Sequence, residues 1–473
     1  VKVTAIAQIP AGGVRRSATG ECARAEREPA WRPAPIAGPV RLSTWQLVLA
    51  ATGAFFANWG PAVEIGMVQI SPAKLFWLSA IPLIVLWFWL GRDRFGAFPW
   101  LWNAFFALVV VHSLITFGVF HREELSFAST GQTEIDETTV EIEEARGIYV
   151  ARYFLYAVYA YALACVLRGR RELMIVSLAS GAGLLAAMVL GNRESIAYSE
   201  GVYRSTGGFL NPNDLGNTAM TVVMLNLCVL RQRQARLGLR LLGAVFVCGG
   251  LYGLLASASR SALLALCVAV AVVLTHLSTS NKLRVAVILV ASVAALVMYL
   301  PREVFEALET RVNIETVLDT RGSMRLDIYA DYLCQFPRYA LTGVGLKRSL
   351  EVTKDSYTTL TPLIPHNGYL EVLVEFGCPG LLLFLGALLQ FRRGLAVTDF
   401  DSEDAGADSV IQGLFWGWTA YLVVASAGSR IFWITWAVLG AYQAMRQREQ
   451  AETCQQDEMA TFVPAAITGA AAR

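Results

Sequence analysis

Long apolar stretches leave this chain few choices of solvent. Residues 241–256, 262–276 and 285–300 follow one another almost without a break, and each approaches the ~20 apolar residues that cross a hydrocarbon core. Similar stretches recur from residue 42 to residue 445. Charged residues make up only 16% of the 473 and hydrophobic ones 55%, against about 25% charged in soluble domains. The expected fold is therefore an all-α polytopic membrane protein. Setting the apolar runs against the polar breaks places about twelve transmembrane helices, at 42–59, 73–90, 99–120, 147–167, 173–190, 215–230, 241–256, 261–278, 284–300, 378–391, 409–427 and 430–445.

Orientation follows from the short loops. One set holds Arg92 and Arg94; Arg168, Arg170 and Arg171; Arg231, Arg233, Arg236 and Arg240; Lys282 and Arg284; Arg392 and Arg393; and Arg446 and Arg448. These alternate with loops poorer in Lys and Arg, which by the positive-inside rule puts them and both termini in the cytoplasm. Residues 1–41, rich in Arg, Ala and Pro and beginning at Val1 rather than Met, are expected to be a disordered cytoplasmic tail, and 446–473 a second tail. The membrane domain then comprises 42–300, with spans one to nine, and 378–445, with spans ten to twelve. One large periplasmic loop, 301–377, separates them.

A net charge of +2 gives no sign of a nucleic-acid partner. The eight cysteines form no CxxC pair and no Cys/His cluster, so neither a metal nor another cofactor is expected. Cys165, Cys228, Cys248 and Cys267 fall inside apolar spans. Only Cys334 and Cys378 could meet in an oxidising compartment, and the sequence leaves their pairing open.

Chemistry is expected on the outer face, where charges held at a bilayer mark either function or an interface anchor. Arg204 opens the stretch Arg204-Ser205-Thr206-Gly207-Gly208-Phe209-Leu210-Asn211-Pro212-Asn213. Its glycines let the backbone approach a ligand, and Asn213 or Asp214 can cap the helix that follows. Arg260 sits in Ser259-Arg260-Ser261, a tight outer turn. Taken singly, each arginine reads equally well as an anchor. Arg321 and Arg325, four residues apart, share one helical face beside an apolar stripe of Leu326, Tyr329, Leu333 and Phe336. Two guanidiniums pointing one way suit a phosphate or diphosphate; the plainer alternative is a surface helix paired with Asp319 or Asp327. The acidic segment 121–146 reads as a solvated loop.

Among the four histidines, His112 lies mid-span, His276 near a cytoplasmic end and His121 at the start of the acidic loop. His366 alone falls in the long outer loop, fixed by Pro365 at the start of a helix running into span ten. A neutral imidazole there can serve as a general base. Glu371 and Glu375 are the next candidates along the same helix.

The stretch 204–213, Ser259-Arg260-Ser261, Arg321 to Arg325 opening an outer helix, and His366-Asn367-Gly368-Tyr369-Leu370 followed by Glu375-Phe376-Gly377 occur in a fixed order relative to the spans. In that order they resemble the O-antigen ligase and polymerase superfamily of bacterial inner membranes. The resemblance covers 204–377; the tails and the first three spans share only hydrophobicity with it. It implies a metal-independent glycosyltransferase that moves a glycan from undecaprenyl diphosphate to an acceptor hydroxyl on the periplasmic face. His366 would be the base, and Arg204, Arg260, Arg321 and Arg325 would hold the diphosphate. Arg152 and Asn213 would support the donor site and Lys74 would add charge, although snorkelling explains Arg152 and Lys74 as well. The implied partners are the lipid-linked glycan, a lipid A core or growing glycan as acceptor, and membrane lipids. An O-antigen ligase acting on lipid A core is the first reading and a polymerase of O-antigen or exopolysaccharide the second. A lipid-linked sugar transporter or flippase is the reading from another class, opposed by the missing internal repeat and by the concentration of outer polarity in one loop.

Overall fold

The computed structural model describes residues 44–57, 63–65, 68–70, 72–89, 98–128, 137–190, 196–199, 202–205, 212–232, 235–277, 325–346, 348–352, 365–395, 405–425 and 430–470, with scattered positions between 282 and 309. By internal contacts Arg41–Gln447 forms one unit, and the described residues from Arg448 on belong to a second. The described elements of the first are α1 (Thr44–Ala57), a hairpin of β1 (Val63–Ile65) and β2 (Val68–Ile70), α2 (Pro72–Trp89), α3 (Trp100–Ala128), α4 (Glu137–Val166) and α5 (Arg170–Leu190). A second hairpin of β3 (Ile196–Ser199) and β4 (Val202–Ser205) leads to α6 (Pro212–Arg231), α7 (Leu237–Ser257) and α8 (Arg260–Thr275). Then come three short helices, α9 (Arg325–Cys334), α10 (Phe336–Tyr339) and α11 (Ser349–Val352), followed by α12 (Gly368–Gly394), α13 (Ala405–Val424) and α14 (Arg430–Ala470), whose residues from Arg448 on count with the second unit.

Each expected span except the ninth coincides with a helix; within 284–300 only Val287, Val290, Ala291, Ala294 and Met298 are described, and these are helical. Among the described residues three helices, α5, α7 and α12, are long and apolar enough to cross a membrane, and α1, α2, α3, α4 and α8 contain or form shorter apolar helices. The protein is thus a helical membrane protein, and its two short hairpins depart from the all-α expectation. β3 and β4 pair antiparallel with Ala197 opposite Arg204 and Ser199 opposite Val202, so Arg204 stands in a strand rather than an open loop. Four-residue runs of β-branched and aromatic residues around Glu200-Gly201 are enough for a tight hairpin.

Small residues set how closely the helices pack. On α7, a Cβ at Gly250 would touch Val223, and one at Gly253 would lie 3.6 Å from Ala219, so α7 runs antiparallel along α6. Gly413 and Gly417 play the same part on α13: a Cβ there would lie 2.7 Å from the Ala269 carbonyl and 2.9 Å from that of Ala265, on α8. Glycines four apart let two backbones meet where any side chain would hold them off. Trp418 Nε1 donates to Thr221 Oγ1 at 3.1 Å, tying α13 to α6 in the core. Trp102 stacks on Trp436 at 4.8 Å and meets Phe391 edge-on at 5.6 Å, joining α3, α14 and α12.

The bundle has two unlike ends. At one, Arg446 pairs with buried Asp408 at 3.1 Å, Tyr442 donates to the same carboxylate, and Arg170 lies within Coulombic reach of Tyr442. Arg231 lies 3.4 Å from where a Gly406 side chain would begin, and Arg240 donates to the Gln232 carbonyl at 2.9 Å. The residues gathered there come from the loops read as basic. The start of α6, the turn between α7 and α8, the start of α12 and the end of α13 lie at the opposite end.

Candidate functional site

At that opposite end α6 opens on Pro212, whose missing N–H and fixed φ suit a first helical turn. Asn213 and Asp214 therefore lie inside the first turn rather than at the capping position expected from sequence. The Asn213 carboxamide is used sideways instead: its Oδ1 accepts from Ser259 Oγ at 3.0 Å, and Ser259 Oγ lies 3.1 Å from Ser261 Oγ. Ser259 is the N-cap residue of α8 and Ser261 lies in its first turn, just after the link in which Ala258 takes a left-handed φ of 45° and donates to the Leu255 carbonyl at 3.0 Å. Gly216 makes the approach possible, since a Cβ there would lie 2.7 Å from both Ser257 Oγ and Ser259 Cβ. Arg260 follows as the first residue of α8, half-buried, with its Nε shielded from solvent.

A second group forms where α9 meets α12. Asn367 is extended and caps α12, its Oδ1 accepting from the amides of Tyr369 and Leu370 at 3.0 Å each. That leaves the carboxamide nitrogen to donate, and Asn367 hydrogen-bonds the Tyr329 hydroxyl. Tyr329 in turn faces the Val423 carbonyl at 3.4 Å. Burial pushes the Tyr329 phenol above its ordinary value, while the charge of Arg325, one turn away, and the Asn367 bond pull it down. His366 precedes the cap, half-buried, in the left-handed region at φ 47°. Histidine is among the non-glycine residues that tolerate this conformation. Buried Pro365 on one side and the Asn367 cap on the other hold it there.

One phenol joins the two groups. Tyr421, buried near the end of α13, lies within Coulombic reach of both Asp214 on α6 and Arg325 on α9. Asn213, Arg260, Arg325 and His366 thus belong to one chain of neighbours, although 153 positions (366 − 213) separate its ends in sequence. The N-termini of α6, α8 and α12 open on this side, each adding partial positive charge.

The segment after α10 fixes the position of this group. Gly377, at φ 68°, breaks the helical path of α12, and Pro379 has no N–H to offer the Glu375 carbonyl. The freed carbonyls turn outward: Val374 accepts from the Val344 amide at 2.9 Å, Glu375 accepts from Gly345 at 3.0 Å, and Cys378 N donates back to the Ala340 carbonyl at 2.7 Å. Gly343, at φ 73°, has no room for a Cβ against the Glu375 carbonyl. Beneath lies a small core of Ile328, Tyr332, Tyr339, Val352, Leu370 and Val374. Tyr339, its phenol pushed up to about 12 mainly by burial, donates there to the Tyr332 carbonyl at 2.7 Å.

Several expected residues are placed differently. Arg321 lies outside the described residues, and α9 opens at Arg325, so an Arg321–Arg325 pair on one face is not described. The apolar stripe expected beside it is also revised: Ile328 and Tyr332 face the core, whereas Leu326 and Leu333 are exposed. Arg204 is fixed to β4 and Arg152 to α4 by their backbones, with their side chains outside the description, as is that of Lys74 on α2. Glu371 and Glu375, at 6% and 2% exposure, are enclosed in α12, because that helix starts at Gly368, well ahead of 378. Cys334 and Cys378 are free thiols. Among the described residues no group of three His, Cys, Asp or Glu could hold a metal. Tyr329, Tyr421 and Gly216 were not singled out as site residues, since their parts depend on neighbours distant in sequence.

Residues 244–385 match a family model described as O-Antigen ligase. The match takes in Arg260, Arg325 and His366 and begins after Arg204 and Asn213. No curated protein matches the chain.

Proposed function

We propose, from the match of residues 244–385 to the O-antigen ligase family model, that the chain is a member of the O-antigen ligase/polymerase superfamily and that it transfers a glycan from undecaprenyl diphosphate to an acceptor hydroxyl at the end of the bundle carrying His366. The observation that carries this reading is the junction at Tyr421 and Tyr329, through which Asp214, Arg325 and Asn367 become neighbours. Beside it stand Arg260 and His366. The arginines Arg170, Arg231 and Arg446 at the other end support, by the positive-inside rule, a cytoplasmic position for that end and a periplasmic one for the site.

In the proposed reaction His366 takes the proton of the acceptor hydroxyl as its oxygen bonds to the anomeric carbon. The bond from that carbon to the diphosphate oxygen breaks, and undecaprenyl diphosphate leaves with the electron pair. Arg260 and Arg325, with Arg204 and Arg321 supplied from the neighbouring segments, offset the charge gathering on the diphosphate, a task guanidiniums perform without a metal. The neutral phenol of Tyr329 orients Asn367 and with it the backbone that presents His366. Arg152 and Asn213 support the donor from neighbouring helices.

Lipid A core is the acceptor proposed first, and a growing glycan the second. Reconstitution with an undecaprenyl-diphosphate oligosaccharide and lipid A core tests both. One added donor unit is expected; a ladder of several units identifies a polymerase, and donor crossing the bilayer without product identifies a transporter and refutes transfer. Sidedness is read separately: a cysteine at exposed Arg338 should react with an impermeant reagent in intact spheroplasts, and one at exposed Arg236 should not.

A further inference from the structure

α9 has three faces, and two are accounted for. Ile328 and Tyr332 are buried in the small core against α12, while Arg325 and Tyr329, one turn apart, face the site. The third face is Leu326, Ala330 and Leu333, whose i, i+4, i+7 spacing lays them in one stripe. Leu326 is 64% exposed and Leu333 57%. Exposed apolar groups continue through Phe336 to Leu341, at 81%. Single exposed leucines are ordinary on any protein, but a continuous apolar surface marks something that covers it.

Continuity with the membrane surface says what that is. The Leu341 carbonyl lies against Gly377, and Ala340 is hydrogen-bonded to Cys378. Directly beyond, on α12, Leu382, Leu385 and Leu389 are exposed, the surface that a helix apolar enough to cross a membrane offers to acyl chains. On α3, His112 is hydrogen-bonded to the backbone of Thr342, and Val111, Leu114 and Ile115 beside it are exposed. The α9–α10 surface therefore prolongs an apolar band shared by two membrane helices.

We infer that α9 and α10 lie in the membrane interface, with Leu326, Leu333, Phe336 and Leu341 in the acyl-chain region of the phospholipid leaflet and exposed Arg338 among the lipid phosphates. The occupant of this surface is the bilayer itself. The consequence for catalysis rests on the proposed function: a helix seated at this depth carries Arg325 and Tyr329 at the level of a lipid-linked diphosphate, so donor reaches them by lateral diffusion without leaving the membrane.

The test places the full chain in nanodiscs of phosphatidylethanolamine and phosphatidylglycerol doped with a phospholipid bearing an acyl-chain diazirine. After irradiation, adducts are mapped on proteolytic peptides. Adducts are expected on the peptides carrying Leu326, Leu333 and Leu341, alongside those on 382–389, which serve as the internal standard. Leu326→Asp with Leu333→Asp should remove the adducts on α9 and retain those on α12, whose unchanged pattern reports that the fold survives. Wild-type protein labelled on α12 but not between 326 and 341 overturns the inference, as does a cross-link between two copies through this face. Neither donor nor acceptor is present, so failure here leaves the transfer reading intact, and absence of transfer in the reconstituted assay leaves the labelling result standing.

Discussion

The two ends of the bundle use nearly the same residues for opposite purposes. At the basic end a carboxylate, an arginine and a phenol close on one another: buried Asp408 is bonded by Arg446 and Tyr442. At the other end Asp214 and Arg325 lie only within Coulombic reach of Tyr421, on the side that carries half-buried His366 and Arg260 and three helix N-termini. A buried ion pair whose partners face inward stabilises the folded chain only as long as both are present. The same chemistry spread along a surface with helix N-termini behind it is arranged for a charge arriving from outside. Stability and ligand handling should therefore separate by end.

The sharpest test of that separation is His366→Ala. Transfer per folded molecule should fall by roughly 10²- to 10⁴-fold, the usual contribution of a general base, with the yield of folded protein unchanged. Activity above about a tenth of wild type would assign the base elsewhere. Asp408→Ala should do the reverse. Leaving Arg446 buried without its carboxylate costs about 3–5 kcal/mol, read as a lower thermal midpoint in detergent, while the surviving folded fraction transfers at the wild-type rate. Lost turnover at normal stability would erase the distinction between the ends.

Arg325→Ala comes next, removing a charge-assisted contact worth about 1.5–3 kcal/mol. The loss should appear in donor kcat/KM and be poorly restored by Lys if two guanidinium nitrogens are engaged; full restoration by Lys would reduce Arg325 to a point charge. The smallest effect is expected from Asn367→Ala, which removes a helix cap worth about 1 kcal/mol and the bond to Tyr329. It should cost both ends of the comparison a little, lowering the midpoint slightly and kcat several-fold. A change in stability alone would show that Tyr329 holds the His366 backbone without help from Asn367.

Much of the frame is legible in the sequence because apolar runs report burial in lipid directly, and α5, α7 and α12 follow from length and composition. The boundary at 378 misleads for a physical reason: Gly377 and Pro379 both interrupt helices, so the run reads as starting after them. Here the chain continues through the break, and the loop carrying Gly343 and Gly345 satisfies the carbonyls it frees. The site is legible only in pieces. Short motifs flag Asn213, Arg260, Arg325 and His366, but their meeting depends on Tyr421 and on the missing side chain of Gly216, and neither has a local signature. Spacing likewise gives α9 one apolar stripe where the fold distinguishes a buried face from an exposed one.

The bonds that seat the 340–345 segment on α12 run from main chain to main chain. An attachment of that kind is indifferent to most side chains. With Gly343, Gly345 and Gly377 in place, the other side chains of this segment can change without shifting the backbone that presents His366. Side-chain changes here leave that backbone in place, whereas a single methyl group added at Gly343 would unseat the loop.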